Sequence, residues 1–155
     1  MELETDLLAD LIARKHTCLV GLREMGRVQM ELVRQGEITR LLDLLSTKHK
    51  AMAELQRIEA ALNPFRGQDP GARRWRTPEA RCECARQLTQ CEALLGEIVD
   101  QEKRSEAELV RRRDEAAVRL QGAHAASRAR GAYTATSGPE GSRLDLLSDT
   151  QEPRS

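Results

Sequence analysis

Aromatic side chains are almost absent from this chain: Phe65, Trp75 and Tyr133 are the only three in 155 residues. Leu and Ala dominate the 39% hydrophobic fraction, and Val and Ile are scarce, a composition that favours helices over pleated sheet. Net charge is missing as well. The 25 basic residues balance 25 acidic ones, so no global field draws the chain to nucleic acid or to an anionic membrane. No run approaches the roughly 18 uncharged apolar residues that a spanning helix needs. The N-terminus reads Met-Glu-Leu-Glu-Thr-Asp, acidic where a secretory signal is basic. These absences predict a soluble cytoplasmic protein without membrane insertion, and the length predicts one domain.

Catalytic groups are equally thin. His16, His49 and His124 are far apart, no glycine-rich strand-to-helix phosphate loop occurs, and no Cys or Ser stands in a nucleophile motif, so neither an enzyme nor a cofactor is expected. Cys82, Cys84 and Cys91 fall on one expected helix. There, residues two apart diverge and residues seven apart are about 10 Å distant, too far to bridge or to converge on a metal. Reduced thiols are predicted, with Cys84 and Cys91 in a core and Cys82 turned outward.

What the sequence does have is helical periodicity. Leu8, Leu11, Ile12, Cys18, Leu19, Leu22, Met25, Leu32 and Val33 follow the three-four spacing of one face, predicting a helix over 3–34 that stops at Gly36. Ile38, Leu41, Leu42, Leu45, Met52, Leu55, Ile58 and Leu62 repeat it over 37–62, up to Asn63-Pro64, where the α region is disfavoured before proline. On this spacing Leu45 belongs to the core. Residues 63–77 hold two prolines, two glycines and four arginines against one aspartate, a connecting loop. Thr77, Pro78 and Glu79 are a helix start signal. Cys84, Leu88, Cys91, Leu95, Ile98, Leu109, Ala116, Leu120 and Ala123 carry a third helix over 78–127, its seam interrupted by Glu102 and Ser105. Residues 128–155, rich in Gly, Ser, Thr and Pro, read as a flexible tail with one apolar spot at Leu144–Leu147.

Three amphipathic helices joined by a turn and a loop predict an all-α fold, an antiparallel three-helix bundle over residues 1–127. At 1.5 Å per residue the expected helices span roughly 48, 39 and 75 Å. The third therefore overhangs by about 18 residues. That overhang, near residues 110–127, leaves Ala116, Ala117, Leu120 and Ala123 without an internal partner and points to a protein-binding end.

Other features have ordinary structural explanations. Arg111–Arg113 are spaced to pair with Glu108 and Glu115 four residues away, as on a solvated helix face. Phe65 and Trp75 are expected to plug the loop end of the bundle, rather than to serve an Arg73–Arg76 nucleic-acid patch. Gly21 and Gly26 in helix one predict close approach of a neighbour or a mild bend. Tyr133, alone in a polar stretch, is a candidate docking residue.

The segment Gly36–Leu55, with Leu41, Leu44 or Leu45, Lys48, Met52 and Leu55, resembles the Leu-x-x-Leu-x-x-x-Lys-x-x-x-Leu-x-x-Leu stretch of the flagellar export chaperone FlgN family. The order of parts is also similar over residues 3–138, although Tyr133 is followed by Thr-Ala-Thr-Ser-Gly rather than a short Tyr-Gly ending. The resemblance implies a cytoplasmic chaperone that consumes no ATP. Such a chaperone holds hook-associated junction proteins unassembled and delivers them to the type III export gate. It also implies client binding at Leu109, Ala116, Ala117, Leu120 and Ala123, and docking of Tyr133 on the cytoplasmic domain of the gate protein FlhA. Two competing readings are a coiled-coil scaffold pairing the same face with its own copy, and an arginine-dependent nucleic-acid binder.

Overall fold

The structure, a computed structural model, describes residues 2–141, with side chains to residue 134. Three α-helices make up most of the described residues: α1, Glu4–Gln35; α2, Ile38–Arg66; and α3, Pro78–Gly141. A single 3₁₀ turn, Pro70–Ala72, interrupts the loop between α2 and α3. There is no strand among the described residues, and the fold is an all-α bundle.

Local chemistry explains each boundary. The Asp6 carboxylate accepts from the Leu3 N–H at 2.8 Å, satisfying a donor at the start of α1. Gly36 ends α1 at φ 69°, a left-handed conformation that costs glycine nothing, and the N–H groups of Gly36 and Glu37 return to the carbonyls of Val33 and Leu32. Thr77 caps α3 through its hydroxyl, which accepts from the Ala80 N–H at 3.0 Å.

Two helix ends lie beyond their expected positions. α2 passes through Pro64 to Arg66 instead of stopping at residue 62. The buried Phe65 ring belongs to the core at that end, and Arg73 Nη2 donates to the Phe65 carbonyl at 2.7 Å, capping the terminus. Packing and a cap together offset the local preference of a residue before proline. α3 continues past residue 127 through Tyr133 to Gly141, so the first half of the expected tail is helical. Arg128, Ala129, Arg130 and Ala132 supply the local reason, because Ala and Arg are strong helix formers. The apolar spot Leu144–Leu147 lies outside the described residues.

Among the described residues, those up to Leu109 form one compact unit and those from Val110 a second. In the first, α1 and α2 run antiparallel, joined at Gly36, with Lys15 facing Glu59 and Lys48 facing Gln29. α3 runs parallel to α1: Arg76, just before α3, pairs with Asp6, and Glu97 of α3 pairs with Arg23. The Arg76 guanidinium holds the Asp6 carboxyl below its ordinary range by hydrogen bonding. α3 approaches α1 closely at Gly26, where an added Cβ would displace the amide end of the Gln101 side chain, whereas the space beside Gly21 is open.

Three apolar clusters fill the unit. Leu8, Leu11, Ile12, Ile58, Leu62, Phe65 and Cys84 lie at the loop end, with Trp75 packed against them. Leu19, Leu22, Leu55, Cys91, Leu94 and Ile98 form the middle cluster. Leu32, Val33 and Leu41 close the end near Gly36. Cys84 and Cys91 are buried, which pushes both thiols above their ordinary pKa, and Cys82 is exposed. Alkylation of the native protein with iodoacetamide is therefore expected to label Cys82 quickly and Cys84 and Cys91 only after unfolding. Equal labelling rates for Cys82 and Cys91 would contradict this packing.

Candidate functional site

The apolar stripe of α2 is wider than three helices can cover. Leu41, Leu55, Ile58 and Leu62 are buried, but Ile38, Leu42, Leu45 and Met52, on the adjoining strip, are exposed by 57, 61, 38 and 40%. Leu45 is thus no core residue, contrary to its periodicity, because the core takes only the side of α2 that turns to α1 and α3. On α3, Val99 and Leu109 are likewise exposed, and Leu95 is partly covered.

Leu45, Met52, Leu95, Val99 and Leu109 line a groove of about 850 Å³ between α2 and α3, with His49 and Leu55 on the α2 wall and Glu102, Lys103 and Glu106 on the α3 wall. Leu19 and Leu22 of α1 form part of its lining. Apolar strips of two helices facing one open channel are the geometry that a fourth helix fills in four-helix bundles.

A polar layer crosses the channel between the middle cluster and the Gly36-end cluster. Lys48, only 8% exposed, donates to Gln29 Oε1 at 2.8 Å and pairs with Glu102. Burial lowers the Lys48 pKa by disfavouring its charged form. The Glu102 side chain remains 48% exposed. Nearby on α3, Ser105 is buried with no hydrogen-bond partner for its hydroxyl. Thus the two residues that interrupt the α3 seam, Glu102 and Ser105, fall within one stretch of helix beside Lys48.

A second cleft, about 410 Å³, lies at the loop end beside Leu62, Phe65, Trp75 and Leu88. The neighbouring loop residues 73, 74 and 76 make contacts within the fold. Arg73 caps α2, the Arg74 carbonyl accepts from Thr5 Oγ1 at 2.6 Å, and Arg76 pairs with Asp6. Trp75 packs against the core, as expected for a plug.

The residues expected to bind partners sit on α3. Leu109 lines the groove. Ala116, Ala117, Leu120 and Ala123 are exposed, Leu120 by 62%, in the second unit. Tyr133 is 75% exposed and helical rather than part of an irregular tail. Arg111 pairs with Glu115 four residues on, as its spacing predicts.

The groove was missed by periodicity, although a signal for it exists. Apolar residues at 38, 41, 42, 45, 52 and 55 occupy two adjacent strips of α2, more than one helix–helix seam uses. Among the described residues, no three of His, Cys, Asp and Glu come together as a metal site, and no helix is long and apolar enough to cross a membrane. No protein-family model, no curated protein and no solved structure matches the chain.

Proposed function

We propose that the protein is a flagellar type III export chaperone of the FlgN type, which binds hook-associated junction proteins and brings them to the cytoplasmic domain of FlhA. The observation that carries this reading is the open α2–α3 groove, a ready seat for an amphipathic helix of a client that must be kept unassembled. The Leu-rich Gly36–Leu55 segment, on which the resemblance rests, is the α2 wall of that groove. The exposed face of Ala116, Ala117, Leu120 and Ala123 offers the client a further contact, and Tyr133 is the anchor for the gate.

Titration calorimetry of the full chain against a hook-associated protein and against the FlhA cytoplasmic domain tests the two roles. Leu120→Arg is expected to weaken client binding at least about tenfold and to leave gate binding intact, since it sets a guanidinium on an apolar contact face. Tyr133→Ala is expected to do the reverse. Wild-type affinity of both variants for both partners would refute the assignment of these residues.

A further inference from the structure

The cleft at the loop end differs from the α2–α3 groove in its charge. The groove carries both signs, Lys48 and Lys103 beside Glu102 and Glu106. Four cationic side chains line the cleft, Lys15, Arg66, Arg73 and Arg81, and no acidic one. The rest of its lining is apolar, with Phe65, Trp75 and Leu88 among it. Partners from within the fold neutralise these cations only in part. One carboxylate, Glu59, serves both Lys15 and Arg66. Arg73 donates to neutral acceptors, the Phe65 carbonyl and the Gln68 side chain, and keeps N–H groups to spare. The exposed Arg81 guanidinium has no hydrogen-bond or ion-pair partner among the described residues. Apolar walls under an excess of positive charge are the complement of a short segment that carries leucines and carboxylates together.

The chain itself contains such a segment. Leu144-Asp-Leu-Leu-Ser-Asp-Thr-Gln-Glu152, outside the described residues, holds three leucines and three acids without a base. We infer that the cleft receives residues 144–152 of a second copy of this chain, with the leucines against Phe65, Trp75 and Leu88 and the carboxylates on Arg81 and Arg73. The segment comes from another copy because of where α3 begins and ends. α3 starts beside the cleft and is one helix of 64 residues, which at 1.5 Å per residue measures roughly 96 Å. The three residues from Gly141 to Leu144 reach at most about 11 Å, too little to return to the cleft of the same chain. The contact joins different patches of the two copies and is therefore heterologous. It goes beyond the export reading and uses neither the α2–α3 groove nor Tyr133.

Trp75, the only tryptophan, lines the cleft and reports on it directly. A synthetic peptide of residues 144–152, titrated into the dilute full chain, is expected to shift the Trp75 emission to shorter wavelength and to saturate. Two control peptides, one with its three acids changed to the amides and one with its three leucines changed to Ser, are expected to bind at least about tenfold more weakly. Arg81→Glu in the full chain is expected to lose the shift while its circular dichroism stays that of the wild type, since the guanidinium is exposed and unpartnered. In sedimentation, the concentrated full chain is expected to associate, Arg81→Glu and Asp145→Lys are each expected to weaken that association at least about tenfold, and a mixture of the two variants is expected to recover it. The native segment of the first then finds the native cleft of the second.

An unmoved Trp75 emission, equal binding of either control peptide, or a full chain that stays monomeric at concentrations where the peptide saturates the cleft would overturn the inference. So would association that is lost in Leu45→Arg and indifferent to Arg81→Glu, because the copies would then meet at the groove.

Discussion

Leu19→Asp is expected to abolish cooperative thermal unfolding of residues 1–109. Leu19 is fully buried and packs in the middle cluster with Leu22, Leu55, Cys91, Leu94 and Ile98, a cluster drawn from all three helices. A carboxylate there loses its water and gains only apolar neighbours. The cost is on the order of 4 kcal/mol or more, comparable with the roughly 5–15 kcal/mol that holds a domain folded. Leu19→Ala is the milder form, expected to cost about 2–5 kcal/mol through a cavity that helices of this length cannot close. Circular dichroism against temperature reads both. A melting curve for Leu19→Asp like that of the wild type would mean that the three helices do not share this core.

Leu45→Asp is expected to separate stability from binding. The residue carries the same apolar signal as Leu19, yet it is 38% exposed and lines the groove. In the free protein the new carboxylate stays in contact with water, so the change in stability should remain within about 1 kcal/mol. With a partner helix in place the carboxylate is desolvated, and affinity is expected to fall by about 2 kcal/mol or more, roughly thirtyfold. Calorimetry with a hook-associated client measures the loss, and a melt of the free chain measures the cost to the fold. A large drop in melting temperature with client affinity preserved would place Leu45 in the core and remove the groove.

The pair shows what periodicity can and cannot carry. The three-four spacing finds the faces of α1, α2 and α3, and punctuation by Gly36 and by Thr77-Pro78 finds where two of them begin or end. Both signals are local, and the structure keeps them. Periodicity does not say which neighbour a face meets. Ile38, Leu42, Leu45 and Met52 therefore read as core, because an exposed apolar strip has the same spacing as a buried one. The α2 terminus was hidden for a different reason: the anchoring of Phe65 by the core and by Arg73 is a tertiary effect, outweighing the signal of Asn63-Pro64. The polar layer was half visible. Glu102 and Ser105 stand out as breaks in the α3 seam, but that Lys48 and Gln29 meet Glu102 depends on the register between helices.

The most direct test of the groove as a partner's seat uses the methionines as reporters. Met52 lines the groove on α2, while Met25 and Met30 lie on α1 and are not among its walls. With ¹³C-methyl-labelled methionine in the full chain, addition of the terminal helical segment of a hook-associated protein is expected to shift the Met52 methyl resonance and to leave those of Met25 and Met30 in place. Binding of that segment with the Met52 resonance unmoved would contradict the account.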